Sequence, residues 1–388
     1  MQTSDLRIAF YSGNYNMTVD GANRAQSRLV DYLQRQGAKV RVYSPTIENP
    51  AVAANTEIVS VPSFAIPGRP EYRMPYRLSG RALRDVESFA PNVVHLSSPD
   101  RAARQLAKWA RNHNLPVLGC VHTRFETYFL YYNLSFAEPL AVAWLRKLYR
   151  KCDALVAPSE SFAQVLRQQR MNYDIDIWSR GVDREVFNSG RRDLAWRRAQ
   201  GLDDQTPVIG FLGRLVMEKG LDVFSDTIDQ LRRRQVKHKV MVIGEGPARG
   251  WFESRLPDAA FVGFQGGADL GRAVASMDML FNPSVTEAFG NVTLEAMACG
   301  IPVVAAIATG SSSIVEDGKS GRLISPGSIS QFAEALRLYC DDPSLRSAHG
   351  EAGEKRSLDY RWDSINQTVA DTYLRLIRQR AARTMVAG

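Results

Sequence analysis

The sequence predicts an α/β protein built on two doubly wound parallel sheets. Short β-branched or apolar runs recur along the chain, and each is followed by a stretch with the periodicity of an amphipathic helix. These runs do not alternate with polar residues, which is typical of strands buried on both faces of a parallel sheet. At 388 residues the chain is longer than one hydrophobic core usually organises. We therefore expect two domains of this type.

The predicted elements follow one another regularly in both halves. Predicted strands are 8–11, 40–43, 93–96, 117–121, 154–157 and 175–178, then 208–212, 240–243, 261–262, 279–281 and 303–305. Predicted helices are 22–36, 101–112, 162–169, 221–234, 292–299 and 329–340. The pattern pauses in the polar, arginine-rich stretch 181–205, so we expect a domain boundary at 185/186. Ligands of doubly wound sheets bind beyond the carboxyl ends of the strands, which predicts a site in a cleft between two facing domains.

Composition and charge exclude several classes of protein. The start of the chain has no apolar run of the length a signal peptide needs, and no stretch approaches the roughly 18–20 apolar residues of a membrane span. The four cysteines have no CxxC spacing, which favours buried free thiols in a reducing cytoplasm. Residues 1–187 hold 24 Lys and Arg against 17 Asp and Glu, so the basic excess belongs to the N-terminal half. Without an RNA-binding or zinc-finger signature, this excess does not predict nucleic acid as a partner.

The segment 283–300 carries the clearest signal of a binding site. A predicted strand ends just before it, a loop follows that contains Glu287, and a helix begins near Gly290. The amides of Gly290, Asn291 and Val292 fall at the positive end of that helix, where backbone N–H groups can donate to phosphate or sugar oxygens. The segment therefore predicts a site for a phosphorylated or hydroxyl-rich ligand.

Two carboxylates in this segment are eight residues apart. Glu295 lies inside the predicted helix, where a carboxylate can accept hydrogen bonds from both hydroxyls of a cis-diol such as ribose. Glu287 would precede it by about 12 Å if the whole stretch were helical. A diphosphate bridge separates a ribose from a hexose by a similar distance. The alternative is that both acids are solvated surface charges, and the strand–loop–glycine–helix setting argues against it.

A second segment, 209–220, joins a predicted strand to a helix through two glycines and two cations. Arg214 and Lys219 are five residues apart at the carboxyl end of the strand. Cations in this position suit a diphosphate whose negative charge grows as a sugar departs. The alternative is that they cap the following helix or pair with Glu218.

Weaker signals accompany these two segments. Gly13 and Gly21 flank a polar loop after the first strand, and His122 follows an apolar strand, where it could meet a sugar hydroxyl or transfer a proton. Asp174 and Asp176 have the Asp-x-Asp spacing of metal-dependent glycosyltransferases. They alternate with isoleucines as in a half-exposed strand, so we interpret them as structural and predict no metal site.

Together these residues resemble the family-four retaining glycosyltransferases of the GT-B fold, which has two Rossmann-like domains. The matching elements are Gly213-Arg214 to Lys219-Gly220, Gly244-x-Gly246-Pro247, Pro283-Ser284-x-x-Glu287-x-Phe289-Gly290 to Glu295 and Gly300, and Gly310. Trp178-x-Arg180-Gly181-Val182-Asp183 and His122-Thr123-x-Phe125-x-x-Tyr128 are similar to the branch that contains GDP-mannose-dependent α-mannosyltransferases and sulfoquinovosyl-diacylglycerol synthases, which glycosylate lipids.

The resemblance implies a role for each matching position. Glu287 would contact the donor hexose and Glu295 the ribose, Arg214 and Lys219 would neutralise the diphosphate, and His122 would meet the hexose. Gly21, Gly213, Phe289, Gly290, Asn291 and Val292 would complete the donor site. It also implies that a final helix, near 363–380, returns to the N-terminal domain. The predicted domains are thus 1–185 with 363–388, and 186–362.

The function that follows is a retaining, metal-independent hexosyltransferase that needs no cofactor. GDP-mannose is the leading donor, and the acceptor is a hydroxyl of a lipid-linked or glycolipid molecule. Three alternatives stay open: a UDP-hexose donor, a GT-B-fold nucleotide-sugar 2-epimerase, and a non-catalytic nucleotide-sugar-binding protein.

The acceptor is represented only by a basic, aromatic N-terminal half. The loop 12–21 is longer and more polar than the resemblance leads us to expect. Arginines 69, 73, 77, 81 and 84 recur at near-helical spacing, interrupted by prolines. The stretch 136–151 combines Leu140, Trp144 and Leu148 with basic residues, like an interfacial helix. We expect contact with the acceptor or an anionic membrane at Arg124, Tyr128, Trp144, Arg146 and Lys147. This predicts a cytoplasmic protein attached peripherally to the inner face of the membrane.

Overall fold

The structure is a computed structural model that describes residues 1–17, 21–51, 53–66, 69–122 and 138–387. Backbone contacts divide the chain into two compact units. The N-terminal unit contains Met1–Ser179 and Trp362–Gly388, and the C-terminal unit contains Arg180–Arg361. The sequence pattern predicts the two boundaries a few residues later, at 185/186 and 362/363.

The N-terminal unit is an α/β layer structure. Its strands are β1 (Arg7–Tyr11), β2 (Lys39–Ser44), β3 (Ile58–Ser60), β4 (Ser63–Ile66), β5 (Arg69–Pro75), β6 (Val93–Leu96), β7 (Val117–Cys120), β8 (Ala154–Ala157) and β9 (Ile175–Ile177). Its first helices are α1 (Gly21–Arg35), α2 (Gly80–Phe89), α3 (Arg101–Asn112), α4 (Glu138–Tyr149) and α5 (Glu160–Gln168). Seven of the strands form a parallel sheet in the order β3-β2-β1-β6-β7-β8-β9.

Local sequence explains these elements. Strands β6, β7 and β8 are buried at every residue, as expected for strands covered on both faces. Helices α2, α3 and α5 begin after Ser79, Asp100 and Ser159, and the side chain of each of these residues accepts a hydrogen bond from a first-turn amide. Strands β2 and β3 extend the sheet on one side of β1, and strands β7, β8 and β9 extend it on the other side of β6. The strand order therefore reverses between β1 and β6, which makes that position the switch point of this sheet.

The arginines spaced from 69 to 84 do not share one helix. Strands β4 and β5 form a separate antiparallel hairpin in which Phe64 lies opposite Met74, and α2 begins only at Gly80. Pro70 and Pro75 account for the difference, because proline removes a backbone donor that a helix interior needs. The side chain of Asn14 attaches the hairpin to the loop after β1 by bonding both the N–H and the C=O of Arg73.

The C-terminal unit repeats the same architecture. Its strands are β10 (Val208–Leu212), β11 (Lys239–Ile243), β12 (Ala260–Gly263), β13 (Met279–Asn282), β14 (Val303–Ala306) and β15 (Gly321–Ile324), in the parallel order β12-β11-β10-β13-β14-β15. Its helices are α6 (Leu194–Ala199), α7 (Leu221–Arg233), α8 (Arg249–Arg255), α9 (Gly267–Ala275), α10 (Asn291–Ala298), α11 (Ser311–Ile314), α12 (Ile329–Asp341) and α13 (Pro343–Ser357). The strand order reverses between β10 and β13, which makes that position the switch point.

Two apolar clusters cover the two faces of this sheet. Val208 and Leu280 belong to one cluster, whereas their neighbours Ile209 and Phe281 belong to the other. Successive side chains of a strand point to opposite faces, so each strand contributes to both clusters. This burial on both sides explains why the strands appear in the sequence as continuous apolar runs.

The last helix, α14 (Trp362–Ala387), packs on the N-terminal unit. Asn366 on this helix accepts a hydrogen bond from the indole of Trp178, and Tyr373 bonds the buried His95. Arg375 forms ion pairs with both Asp174 and Asp176, so the Asp-x-Asp stretch is held by a cation of the protein itself. Among the described helices, none combines the length and apolar character needed to cross a bilayer.

Asp278 anchors the start of the C-terminal unit. Its carboxylate accepts hydrogen bonds from Arg197, which is fully buried, from Arg192 and from the amide of Val208 at the start of β10. Replacing Asp278 by alanine leaves the Arg197 guanidinium buried without its counter-charge, which costs about 3–5 kcal/mol. We therefore expect Asp278→Ala to lower the denaturant midpoint of unfolding strongly.

The control is Glu334→Ala, which breaks exposed ion pairs with Arg337 and Arg234 in the same unit. Exposed pairs contribute little to stability, so this variant should unfold at the wild-type midpoint. Equal midpoints for the two variants would show that Asp278 does not anchor this unit.

Candidate functional site

The candidate donor site lies at the switch point of the C-terminal sheet. The loop after β10 carries Arg214 and Lys219, and the loop after β13 carries Glu287. These two strands are neighbours and parallel, so both loops leave the same edge of the sheet. The topology thus brings together two sequence segments that are about seventy residues apart, at the edge where α/β sheets bind ligands.

Lys219 and Glu287 form an ion pair between these loops. The Nζ atom of Lys219 lies 3.2 Å from Oε1 of Glu287, whose side chain is 12% exposed. Lys219 ends a short 3-10 helix and is followed by Gly220 in a left-handed conformation, with φ of 74°. A Cβ atom at Gly220 would lie 3.2 Å from the Pro283 ring, so the glycine lets the two loops approach closely. The alternative of pairing with Glu218 is not what the structure shows for Lys219.

Two threonines that the sequence analysis did not identify hold the Glu287 loop in place. The Thr286 hydroxyl donates to the carbonyl of Glu218, and the Thr309 hydroxyl donates to the carbonyl of Glu287 at 2.9 Å. Thr309 follows β14, the next strand of the sheet. The backbone that carries Glu287 is therefore bonded to the loops on both sides of it.

A close backbone contact fixes the start of α10. Gly290 precedes the helix with a φ of 90°, which favours glycine. A Cβ atom on Gly310 would lie 2.6 Å from the carbonyl carbon of Phe289 and 2.9 Å from the amide nitrogen of Gly290. Only a residue without a side chain fits at position 310, because the atoms it would meet belong to the backbone.

The helix start has the character of an anion site. Within the described part of the chain no side chain caps α10, so its first-turn amides are not occupied in that way. Asn291, Val292 and Glu295 are half-buried along the first turns of this helix. The stretch from Glu287 to Gly290 is a loop, so the separation expected for a continuous helix does not apply to the two glutamates.

The ring of Phe289, a residue that the resemblance assigns to the donor site, lies in the apolar core. It is buried there, 5.8 Å from the ring of Tyr360. Only backbone atoms of Phe289 can therefore contribute to a ligand site. Sequence reasoning missed this because the aromatic ring serves to anchor the loop in the core.

Arg214 lies on the exposed side of the same sheet edge. It follows Gly213, whose backbone packs so closely on Gly244 that a Cβ atom at 244 would lie 2.0 Å from the Gly213 carbonyl oxygen. Within the described residues its guanidinium makes no hydrogen bond or ion pair. Its five donors can therefore serve an anionic ligand in bidentate fashion.

In the N-terminal unit, the candidate residues also lie at carboxyl ends of strands. His122 follows β7 and is half-buried; its ring lies 5.2 Å from that of Trp178, and the Cys120 sulfur lies 3.1 Å from its Nε2. Gly21 begins α1 and is half-buried. Arg124 and Tyr128 lie outside the described residues.

A polar group at the switch point between β1 and β6 was not identified from the sequence. The Gly13 amide donates to the Ser98 hydroxyl at 2.7 Å, and the Tyr11 hydroxyl donates to Asp100. Burial raises the pKa of Asp100 to about 6, although the Ala103 amide and the Tyr11 hydroxyl oppose this shift. The run of polar residues directly after β6 was the available signal in the sequence.

The basic helix α4 is less exposed than its sequence suggests. Leu145, Leu148 and Tyr149 are buried, so the apolar face packs inside the unit and Leu148 cannot meet a membrane. Arg146 is half-buried and donates to the carbonyl of Gln169. Lys147 is exposed.

Two apolar side chains of α4 do reach the surface. Leu140 is 72% exposed and Trp144 is 39% exposed. The Arg104 guanidinium stacks 4.0 Å above the Trp144 ring and donates to its carbonyl. This part of the helix therefore combines apolar and cationic groups at the surface.

Groups able to bind a metal are not evident at these positions. Among the residues that the structure describes, no three His, Cys, Asp or Glu side chains are grouped as metal ligands. Asp174 and Asp176 are already paired with Arg375. The cations Arg214 and Lys219 are the groups of this edge that can neutralise a phosphate.

Comparison with known proteins gives family matches for both units. Residues 19–186 match the model of Glycosyltransferase Family 4, and residues 206–342 match that of Glycosyl transferases group 1. The chain is 26% identical over 381 residues to a GDP-mannose-dependent alpha-mannosyltransferase of Corynebacterium glutamicum, covering 96% of this chain and 89% of that protein. It is 28% identical to the sulfoquinovosyl transferase SQD2 of Arabidopsis thaliana, with 89% and 68% covered.

A further relative and two solved structures extend these matches. The chain is 32% identical to a D-inositol 3-phosphate glycosyltransferase of Kribbella flavida, with 72% of this chain and 68% of that protein covered. Its fold is similar to sucrose-phosphate synthase of Thermosynechococcus elongatus, with a TM-score of 0.78, 17% identity and coverage of 96% and 99%. It is also similar to HepE of Anabaena in complex with UDP, with a TM-score of 0.74, 19% identity and coverage of 97% and 100%.

The resemblance inferred from the sequence is confirmed by these matches. The fold prediction is confirmed as well, since two parallel-sheet units recur in the similar GT-B structures. The chain belongs to glycosyltransferase family 4, has the GT-B fold and is a hexosyltransferase.

Proposed function

We propose that this enzyme transfers a hexose from a nucleotide diphosphate sugar to a hydroxyl of a lipid-linked or glycolipid acceptor. The transfer retains the anomeric configuration and requires neither a metal nor another cofactor. The observation that carries the proposal is the Lys219–Glu287 pair, which lies in the loops at the switch point, where Glu287 shortly precedes the uncapped start of α10. A donor has both an anionic diphosphate and a hydroxyl-rich sugar, and this edge has groups for each.

The charges of the site fit the course of the reaction. The bond between the sugar carbon and the diphosphate oxygen breaks while the acceptor oxygen forms a new bond on the same face. The acceptor proton passes to the departing phosphate. Negative charge therefore grows on the diphosphate, where Arg214, Lys219 and the α10 amides stabilise it more in the transition state than in the ground state.

The carboxylates fit the two sugars of the donor. Glu295 on α10 accepts hydrogen bonds from the ribose hydroxyls, and Glu287 accepts them from the hexose. The Lys219 ammonium currently neutralises Glu287, and in the donor complex a phosphate replaces the carboxylate as its partner. Once this exchange has occurred, Glu287 accepts from hexose hydroxyls. His122 of the N-terminal unit meets the hexose as well.

The leading donor is GDP-mannose. Relatives named GDP-mannose-dependent alpha-mannosyltransferases cover almost the whole chain, from Corynebacterium glutamicum and Mycolicibacterium smegmatis. UDP-hexoses are the second candidate, since a similar fold has been solved with UDP-glucose. A nucleotide-sugar 2-epimerase and a non-catalytic binding protein remain as alternatives that experiment can separate.

A panel of nucleotide diphosphate sugars tests the donor site by thermal shift. A ligand at 100 times its Kd stabilises the folded protein by about 2.7 kcal/mol, so the true donor stands out. We expect GDP-mannose to raise the Tm most, with and without EDTA. Lys219→Ala should abolish this shift. The control is Lys319→Ala, which breaks another Lys–Glu pair of the same unit, that with Glu316, away from the site.

The other possible results of this ligand panel lead to different conclusions. No shift with any donor would contradict the proposed function, and a shift lost in EDTA would contradict its metal independence. An epimerised sugar formed without acceptor would identify the 2-epimerase. A shift accompanied by neither transfer, donor hydrolysis nor epimerisation would identify a non-catalytic binding protein.

Gly310 tests whether the backbone of the Glu287 loop is critical. In Gly310→Ala the new methyl group meets the backbone at Phe289 and Gly290, so the loop must move. A displacement of about 1 Å in a substrate-positioning element can cost about 100-fold in rate. We expect a loss of this order in kcat/KM for GDP release from GDP-mannose.

Gly250→Ala on α8 is the matched control, because a Cβ atom there has no neighbour within 4 Å. Alanine in a helix is more favourable than glycine by about 0.5–1 kcal/mol, so this variant should be stable and fully active. Wild-type activity in folded Gly310→Ala would show that the loop position is not critical.

We also propose that the N-terminal unit attaches peripherally to an anionic membrane beside its acceptor. The hairpin and the start of α2 expose Phe64, Met74 and Tyr76 together with Arg77, Arg81 and Arg84. Helix α4 has a second exposed area that combines apolar and basic side chains, those of Leu140, Trp144 and Lys147. Apolar groups that enter the headgroup region and cations that attract anionic lipids act together in interfacial binding.

Vesicle sedimentation tests this attachment. The enzyme should sediment with vesicles that contain phosphatidylglycerol more than with neutral phosphatidylcholine vesicles, and high salt should weaken this preference. Exchanging Arg77, Arg81 and Arg84 for glutamine should reduce sedimentation. Removing the same charge at exposed positions of the other unit, with Arg233, Lys237 and Lys355 changed to glutamine, should not. Equal binding to both vesicle types at low salt would contradict the proposal.

A further inference from the structure

The side chain of Cys120 makes the first contact with the imidazole ring of His122. The Cys120 sulfur lies 3.1 Å from Nε2 and 3.5 Å from Nδ1. A sulfur on the lone-pair axis of one nitrogen would be much farther from the other. The nearly equal distances therefore place the sulfur over the face of the imidazole, where it restricts the tilt of the ring without an in-plane hydrogen bond.

Trp178 makes the second contact with this ring. The two ring centroids are 5.2 Å apart at an angle of 60°, an edge-type arrangement. Trp178 is 1% exposed and directly follows β9, and its own amide donates to Ala157 on β8. The position of this indole is therefore set by the sheet of the N-terminal unit.

The indole orientation is set in turn by the last helix. Trp178 donates from Nε1 to Oδ1 of Asn366 at 3.1 Å, and Asn366 donates from its amide to the carbonyl of Arg28 on α1. Asn366 is 1% exposed, so a rotation of Trp178 would leave buried polar groups without partners. The bond joins residues 188 positions apart, and each of them is within a few residues, in sequence, of a boundary between the two units.

The geometry points to Trp178 as a positioning residue of the transferase, held by Asn366 and acting through the imidazole of His122. This inference rests on the proposed contact between His122 and the donor hexose. A hydrogen bond to a sugar hydroxyl requires a defined ring plane, and a side chain that follows a strand end can rotate unless its neighbours prevent it. Cys120 and Trp178 provide that constraint.

A double-mutant cycle tests the inference with GDP release from GDP-mannose as the readout. We expect Trp178→Phe, which loses the bond to Asn366 but keeps an aromatic ring, to lower kcat by about 10-fold with KM changed less than about two-fold. Trp178→Leu, which loses the ring contact too, should lower kcat further. In a His122→Ala background neither change should have an additional effect, because residues that act through one group are not additive.

Tyr32→Phe is the matched control. Tyr32 lies on α1, and its hydroxyl donates to the side chain of Gln367, which directly follows Asn366 on the last helix. This variant loses a hydrogen bond to the same helix without changing a residue that contacts Trp178, Cys120 or His122, so it should keep its kcat. Circular dichroism melting curves of all variants separate a loss of folded protein from a loss of rate.

Three results would overturn the inference. If His122→Ala is slow but Trp178→Phe lowers kcat equally in both backgrounds, Trp178 does not act through His122. If Tyr32→Phe lowers kcat as much as Trp178→Phe, the effect is general to the helix. Full activity of His122→Ala would remove both the role of His122 and this inference, while the donor site around Glu287 would be judged separately by the ligand panel.

Discussion

The ion pair of Lys219 with Glu287 joins the loops of two neighbouring parallel strands, and the candidate donor site is arranged around it. Such a pair between half-buried side chains needs both backbones in fixed positions. The Thr309 and Thr286 hydroxyls supply this by bonding backbone carbonyls on either side of the pair. Because the pair satisfies both charges before a ligand arrives, the protein avoids a buried unpaired carboxylate. Under the proposed function, the donor replaces one internal partner for each group.

Glycines make this arrangement possible through close backbone contact. Gly310 lies against the backbone of Phe289 and Gly290, and Gly213 lies against Gly244 at the next strands of the sheet. At both places a side chain would occupy space taken by backbone atoms. Glycine loses more conformational entropy on folding than other residues, but it is needed where loops from adjacent strands must converge on one ligand. Phe289 contributes from the other side, since its buried ring attaches the loop to the core.

The sequence predicted the sheet cores well and their edges poorly. Strands such as β8 and β14 are continuous apolar runs because both faces are covered, and this signal is local. The edge strand β15 is only partly buried and begins with Gly321-Arg322, so it lacks that signal. Among the described strands, β4 and β5 pair only with each other, and the prolines and arginines of this hairpin are not typical of a strand.

The candidate site shows the same difference between residues with a local sequence signal and residues without one. Motif residues such as Lys219 and Glu287 were identified because the strand, glycines and helix that flank them are close in sequence, but the residues that hold them act through tertiary contacts. Thr309 bonds a carbonyl 22 positions earlier, and Asn366 bonds an indole 188 positions away. The burial of Leu148 likewise depends on what the helix packs against, so no periodicity in α4 could reveal it.

Charge is distributed differently in the two units, and this difference bears on how each meets an anion. In the nearly neutral C-terminal half, several arginines are committed to internal partners, as Arg249 is to Glu245 and Glu253, and Arg255 to Asp226 and Asp229. Against that background, the unpaired guanidinium of Arg214 presents a local positive charge at the donor edge, within the described chain. A short-range contact of this kind is weakly screened once ligand and protein exclude water.

The excess positive charge of the N-terminal half acts over a longer range. Exposed arginines such as Arg77, Arg81 and Arg84 have water around them, so their attraction for an anionic surface falls off within a Debye length of about 8 Å at physiological ionic strength. Under the proposed membrane attachment, salt should therefore weaken encounter with the anionic surface far more than binding of the donor. Under the proposed function, the two substrates are recognised by electrostatic interactions of different range: the donor by short-range contacts with Lys219, Glu287 and Arg214, and a membrane-bound acceptor by the exposed charges of the N-terminal unit.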